Sequence, residues 1–260
     1  MFIAEILARR GVASTQELEL KLKHLLAPSL KGLNEAIQLM DAAIDQQHKI
    51  VIVGDYDADG ATSTALMILA LREMGAQVEY LVPDRFKYGY GLTPAIADLA
   101  FTSFTPDLLI TVDNGISSHD GVKQAQDHGM QVIITDHHLT TKPTPRAQAV
   151  VNPNQLGCDF PSKALAGVGV AFYVLANLST YRKKLNKPSA VMSQYLDLVA
   201  LGTYADVASL DYNNRILVDV GLKRIQQHLC RPGISALLEI AGREAVTLKA
   251  QDLGFVLGPR

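Results

Sequence analysis

The chain has 260 residues, 48% of them hydrophobic and 19% charged, with a formal net charge of −2. That length supports one large domain or two modest ones with a full core, and the composition excludes a disordered or collagen-like chain. A near-neutral balance argues against a broad nucleic-acid footprint, which needs clustered Lys and Arg, but it leaves room for a local basic groove.

Residues 2–47 read as helical. Leu18, Leu20, Leu22, Leu25 and Leu26 are crowded, and Leu33, Ile37, Met40, Ala43 and Ile44 recur mostly at three- and four-residue steps. From Lys49 the pattern changes to short β-branched runs, with strands expected at 49–54, 77–82, 107–112, 131–135 and 148–151. Helices are expected between them at 61–74, 93–100 and 117–128. This alternation predicts an α/β fold with a mostly parallel sheet and flanking helices. After a loop over 139–147 the chain becomes mainly helical, at 163–178, 189–201, 213–230, 233–241 and 249–256. Three parts follow: a helical segment (1–47), an α/β core (48–155) and a mainly helical part (156–260). The last four residues, Leu257-Gly-Pro-Arg260, follow an apolar helix without a polar tail, so a longer natural chain is expected.

Cys158 and Cys230 share no short pairing motif, so both are expected as small core residues of a reduced protein. No signal pattern and no membrane-length apolar run occurs, and a cytoplasmic location is the default.

Three strand candidates end in acidic or histidine-bearing turns: Asp55-Tyr-Asp57-Ala-Asp59-Gly60, Asp113-Asn-Gly115 and Asp136-His137-His138. Strand ends of a parallel sheet share one edge, so the turns can converge in one crevice. The first turn opens like an EF-hand loop, but its twelfth position is Leu66, not a bidentate Glu, and a strand precedes it. One of its aspartates can cap the following helix. Three together raise one another's pKa unless a cation compensates. Adjacent histidines point in different directions, so one can ligate while the other faces substrate, with Asp136 fixing a ring tautomer. Carboxylates with an imidazole suit Mn²⁺ or Mg²⁺, and two such ions suit hydrolysis of a phosphoester or phosphoanhydride.

Elsewhere, Arg85, Lys87, Tyr88 and Tyr90 interleave cations with aromatic rings in a way that suits a single nucleic-acid strand, or a surface loop covering the core edge. Gly167-Val-Gly169 lacks the third glycine of a dinucleotide fingerprint, and close helix packing is expected there, with a helix start able to accept a phosphate. His119, His128 and His228 are expected to be structural, and Arg182-Lys-Lys-Leu-Asn-Lys187 to be a solvated linker.

The three turns resemble the motifs of the DHH phosphoesterases, and Ala200-Leu-Gly-Thr-Tyr204-Ala-Asp206-Val resembles a fourth. The motif forms, with Pro83-Asp-Arg85-Phe-Lys-Tyr-Gly-Tyr90, Ala166-Gly-Val-Gly-Val-Ala171 and Asn213-Asn-Arg215, look most like the RecJ branch of single-strand-specific 5′→3′ DNA exonucleases. The resemblance implies that Asp57 and Asp59 each hold one metal, that Asp113 bridges both, and that His137 and Asp206 complete the second site. It implies that His138 contacts the scissile phosphate, with Asp55 and Asp136 as supporting catalytic residues and Arg85 and Tyr90 against substrate. Tyr204 stands where the family often has a small β-branched residue, a change expected to affect packing only. Pyrophosphatases of the family carry a His where Val53 stands, which argues against pyrophosphate. The resemblance further implies single-stranded DNA as partner, a role in DNA repair and recombination, repair-protein partners, and further substrate-binding and OB-type domains. Family members acting on short oligonucleotides or cyclic dinucleotides are the alternative, as is an inactive nucleic-acid-binding fragment.

Overall fold

The computed structural model describes residues 2–9 and 11–260. Helix α1 (Phe2–Arg9) is followed by two 3₁₀ turns, Thr15–Leu18 and Leu22–His24, and then by α2 (Leu33–Asp45). The continuous helical reading of 2–47 is therefore wrong. Gly11 and Gly32 both adopt positive φ, and Pro28 lies between the second 3₁₀ turn and α2. Helix propagation stops at such residues despite the leucines around them.

The α/β pattern follows in order: β1 (Lys49–Gly54), α3 (Ala58–Glu73), β2 (Gln77–Leu81), α4 (Arg85–Tyr88), α5 (Pro94–Phe104), β3 (Leu108–Val112), α6 (His119–Asp127), β4 (Gln131–Thr135) and β5 (Ala149–Val151). All five expected strands form. They build one parallel sheet in the order β2-β1-β3-β4-β5. The helical part comprises α7 (Gly167–Lys184), α8 (Leu196–Ala205), α9 (Tyr212–Gln226), α10 (Pro232–Ile240) and α11 (Ala250–Asp252).

Side chains of the central strands alternate between two cores, as the two-residue period of a strand requires. Ile50, Ile52, Leu108, Ile110 and Ile133 join the larger cluster, which takes in α2, α3 and the helices from α7 onward. Val51, Val53, Leu109, Val132 and Ile134 face the smaller one, closed by Ile96, Ala97 and Ala100 of α5 and Val122 and Ala125 of α6. Both faces are covered, which explains why the strands read as near-continuous apolar runs. Strand β1 lies between β2 and β3, so the crossover direction reverses beside it. In such sheets a crevice opens at the carboxyl ends of the strands flanking the reversal.

Arg182 is no part of a solvated linker. Helix α7 continues through it to Lys184, and the guanidinium is buried against α2. Its Nη1 donates to Asp41 at 2.5 Å and Asp45 at 3.1 Å, while Lys187 Nζ donates to the same two carboxylates. Cys158 is buried and Cys230 half-buried, both as free thiols.

Candidate metal centre

Strand β1 ends in a turn whose three aspartates do different things. Asp55 is buried, and its Oδ1 accepts from the Tyr56 amide and from Arg85 Nη2 at 2.9 Å. Asp57 is the N-cap of α3, its Oδ1 accepting from the Gly60 amide. The helix begins three residues earlier than expected, which puts Asp59 inside its first turn. Asp59 is fully enclosed, and both its oxygens accept from the start of α7: Oδ2 from Gly167 N at 2.6 Å and Oδ1 from Val168 N at 2.9 Å. A helix N-terminus favours a carboxylate there. The α7 start thus receives this aspartate.

Beyond β3, Asp113 takes a left-handed backbone, φ +61°, which Asp tolerates better than most residues. Its amide donates to Thr135 O, and Asn114 Nδ2 donates to Val53 O and Val112 O, tying the ends of β1 and β3 together. Beyond β4, Asp136 is buried. Its Oδ1 accepts from the His137 and His138 amides and pairs with His138 Nδ1 at 2.7 Å, and its Oδ2 accepts from the Ile116 amide. Burial alone would raise the Asp136 pKa, but these hydrogen bonds, led by that of His138, hold it below its ordinary value. The same bond raises His138. Asn154 Nδ2 donates to His137 O and Asn152 Nδ2 to His138 O, fixing the turn from β5. Asp206 is the C-cap of α8, an exposed residue whose side chain is 29% accessible.

The expected residues share one edge. His137 Nε2 lies 3.1 Å from Asp113 Oδ1 and 3.9 Å from both Asp59 Oδ2 and Asp206 Oδ2. Three groupings have ligand atoms within 4.8 Å of one another: Asp55–Asp57–Asp113, Asp113–His137–His138 and Asp59–His137–Asp206. Asp113 and His137 each belong to two of them. Arg85 opens α4 and reaches Asp55 and, at 3.9 Å, Asp57. Tyr90, exposed, carries Arg85 Cζ at 5.9 Å from its ring centroid and places its hydroxyl 3.3 Å from His138 Nε2.

The donor set fits a divalent cation. Asp113 Oδ1 and His137 Nε2 are buried 3.1 Å apart, an ion pair only if the imidazole is charged, and neither makes a hydrogen bond. Buried polar atoms are rarely left so. Without a cation, burial and then the charge of Asp57 push Asp113 up to about 9. Asp59 is raised well above its usual range, by burial first and then by Asp113, and Asp206 is raised too, chiefly by burial. Oxygen donors with one imidazole match Mn²⁺ or Mg²⁺ better than thiolate-seeking ions. The supporting residues missed in the sequence are Asn114, Asn152, Asn154 and the Gly167–Val168 amides. Asn114 and Gly167-Val168 lie inside motifs already singled out, without these roles, and Asn152-Pro-Asn154 after β5 is the local signal for the other two.

A family model described as "DHH family, N-terminal domain" matches residues 49–203. The single-stranded-DNA-specific exonuclease RecJ of Escherichia coli is 50% identical over 266 aligned positions, covering 99% of this chain and 46% of that protein. The RecJ of Bacillus subtilis is 38% identical, with 99% and 32% covered. A crystal structure of Thermus thermophilus RecJ in complex with Mn²⁺ superposes with a TM-score of 0.79 at 35% identity, covering 97% of this chain and 35% of that one. The chain spans about half the length or less of the curated relatives it matches. With the family model covering more than half of its residues and four motifs gathered at one sheet edge, the chain belongs to the DHH family.

Proposed function

We propose that the chain is the catalytic part of a RecJ-like hydrolase that degrades single-stranded DNA from its 5′ end, using two Mn²⁺ or Mg²⁺ ions held by Asp57, Asp59, Asp113, His137 and Asp206. The observation that carries this reading is the pair of partnerless buried donors, Asp113 Oδ1 and His137 Nε2, inside a ring of mutually repelling carboxylates. When bound, the ions would supply Lewis-acid charge for the phosphate and a water acidic enough to attack at neutral pH. The similar chains solved with Mn²⁺ or Mg²⁺ support that choice of ions.

The protein's own groups do the rest. Asp136 holds the His138 ring through Nδ1, leaving Nε2 to donate to a phosphate oxygen. Arg85, held by Asp55 and only partly buried, presents its guanidinium beside the same spot and can pair with a phosphate. Tyr90 offers a ring to a base. The His-free position Val53 speaks against pyrophosphate.

No described helix is long and apolar enough to cross a membrane. A cytoplasmic location, repair-protein partners, a role in DNA repair and recombination, and the division at 47/48 and 155/156 belong to the same proposal. The test incubates the chain with Mn²⁺ and end-labelled single strands, duplexes, dinucleotides and pyrophosphate. Stepwise loss from the 5′ end of single strands is expected. Cleavage confined to dinucleotides would sink the reading in favour of a short-oligonucleotide phosphodiesterase.

A further inference from the structure

Asn213-Asn214-Arg215, in the first turns of α9, carries none of the candidate metal ligands. Its three side chains make different contacts. Asn213 Oδ1 accepts from the Leu26 amide at 3.1 Å and from the Tyr173 hydroxyl at 2.8 Å, and Arg215 pairs with Glu17 at 2.8 Å. These two fasten α9 to the N-terminal segment and to α7. Asn214 is fully enclosed, and its Nδ2 donates to Ala164 O at 2.7 Å and to Ser209 O at 2.9 Å. Two accepting carbonyls fix the orientation of the carboxamide, because a flipped amide would set oxygen against oxygen.

Both carbonyls belong to segments that carry the centre. Ser209 follows Asp206 in the loop between α8 and α9, with Val207 at φ +58° between them. A β-branched residue keeps that conformation only where its surroundings impose it. Ala164 lies in the approach to α7, whose Gly167 and Val168 amides bind Asp59. The neighbouring Lys163 O accepts from Asn154 Nδ2 at 3.1 Å, and the same nitrogen donates to His137 O at 2.6 Å. Buried Ser162 adds a second tie to the start of α9, its Oγ donating to Asp211 Oδ2 at 2.6 Å. Residues 162–168 therefore reach the support of every ligand in the Asp59–His137–Asp206 grouping. Those ligands come from α3, the turn after β4 and the end of α8. Asp59 and Asp206 repel each other, so their supports must hold them at binding distance before a cation enters.

We propose that residues 162–168 align the three ligands of this one cation site, and that Asn214 is the positioning residue that locks the Asp206 loop to the other two. The inference rests on the two-ion reading of the centre. It assigns Asn214 to the Asp59–His137–Asp206 ion and leaves the Asp55–Asp57–Asp113 grouping independent of it.

The test reads metal binding rather than turnover. The metal-free chain is titrated with Mn²⁺ by calorimetry, and electron paramagnetic resonance spectra are recorded along the titration, since neighbouring Mn²⁺ ions couple magnetically. The wild-type chain should take up two coupled ions. Asn214→Leu keeps roughly the side chain's size and removes both donations. It should bind one equivalent at wild-type affinity, weaken the other about 10–100-fold, and show the spectrum of an isolated ion where the wild type shows a coupled pair. Asn154→Ala, at a half-buried position, loosens His137 from the same segment and should give the same split. It decides alone if Asn214→Leu does not fold. Arg182→Met breaks a buried ion pair outside the centre and should leave both equivalents unchanged, which separates alignment from general stability. Two coupled ions at wild-type affinity in both asparagine variants would overturn the proposal. Equal weakening of both equivalents would do so too, as would the same split in Arg182→Met. Fewer than two ions in the wild-type chain would overturn the two-ion reading and the proposal with it.

Discussion

Gly167 is where the packing of the centre is least forgiving. A Cβ added there would sit 2.5 Å from Asp113 Oδ1 and 2.7 Å from Asp113 Cβ and Cγ, about 0.9 Å short of the 3.4 Å at which ordinary contact begins. Neither side yields cheaply. The Gly167 amide is bonded to Asp59, and Asp113 is held by its left-handed backbone and by its amide's bond to Thr135 O. In Gly167→Ala the Asp113 carboxylate should therefore move by most of an ångström, several times the roughly 0.2 Å tolerance of a ligand distance. Overpacking of this kind costs about 1–3 kcal/mol of stability. Disturbing the support of a metal ligand costs about 10–100-fold in affinity. Isothermal titration with Mn²⁺, beside thermal melts in chelator, should show a folded protein with weakened binding and the second equivalent lost. Wild-type stoichiometry and affinity in Gly167→Ala would refute the packing argument.

Other perturbations separate charge from chemistry. In metal-free protein the folded state keeps protons on Asp113 and Asp59 that the unfolded chain has released, so stability should fall as pH rises. The window runs from about 4, where an unfolded aspartate ionises, to about 9, where Asp113 does. Melts in chelator should show that decline, and a slope unchanged in Asp113→Asn would disprove its source. Asp113→Ala should abolish two-ion binding and turnover while circular dichroism stays native; retained turnover would remove it from the bridging role. His138→Ala should slow turnover by about 10²–10⁴ with Mn²⁺ titrations little changed, and activity near wild type would exclude it from proton donation. Arg182→Met leaves Asp41 with Lys187 alone, and a loss of up to about 3–5 kcal/mol is expected, measured by urea unfolding, without effect on Mn²⁺ binding.

The sheet and most of the centre were legible because their signals are local. Each strand is a short apolar run, and each site residue of the three turns sits within a few positions of a strand end. What escaped is long-range or conformational. Asp59 meets the amides of Gly167 and Val168 across 108 and 109 positions, and no spacing rule relates them. The glycines at 167 and 169 suggest close helix packing, but Gly167 abuts the Asp113 carboxylate instead, whose position only the fold supplies. The leucines near the N-terminus misled because their hydrophobicity outweighed the turn residues between them. Arg182 misled in the opposite way. A basic run suggests solvent, yet one of its members points inward once the helix extends far enough.

Two buried charge clusters in this fold make the difference between structure and function visible. Around Arg182 and Lys187 each ion pair joins a cation to Asp41 or Asp45, so the charges close on themselves and tie α2 to α7. Around Asp113 the carboxylates outnumber the cations, two ligand atoms have no partner, and the pKa values climb. The backbone departs from the ordinary at both ends of that cluster as well. Asp113 lies at φ +61° and Val207, next to Asp206, at φ +58°, where a β-branched residue is a genuine outlier. Such strain costs on the order of 1–3 kcal/mol and persists only where surrounding structure imposes it. Unpaired ligand atoms and mutually repelling carboxylates at one sheet edge, against balanced and paired charges around Arg182, point to a centre shaped for a ligand rather than for stability. Burial of charge alone would have marked both clusters. Unsatisfied charge marks one.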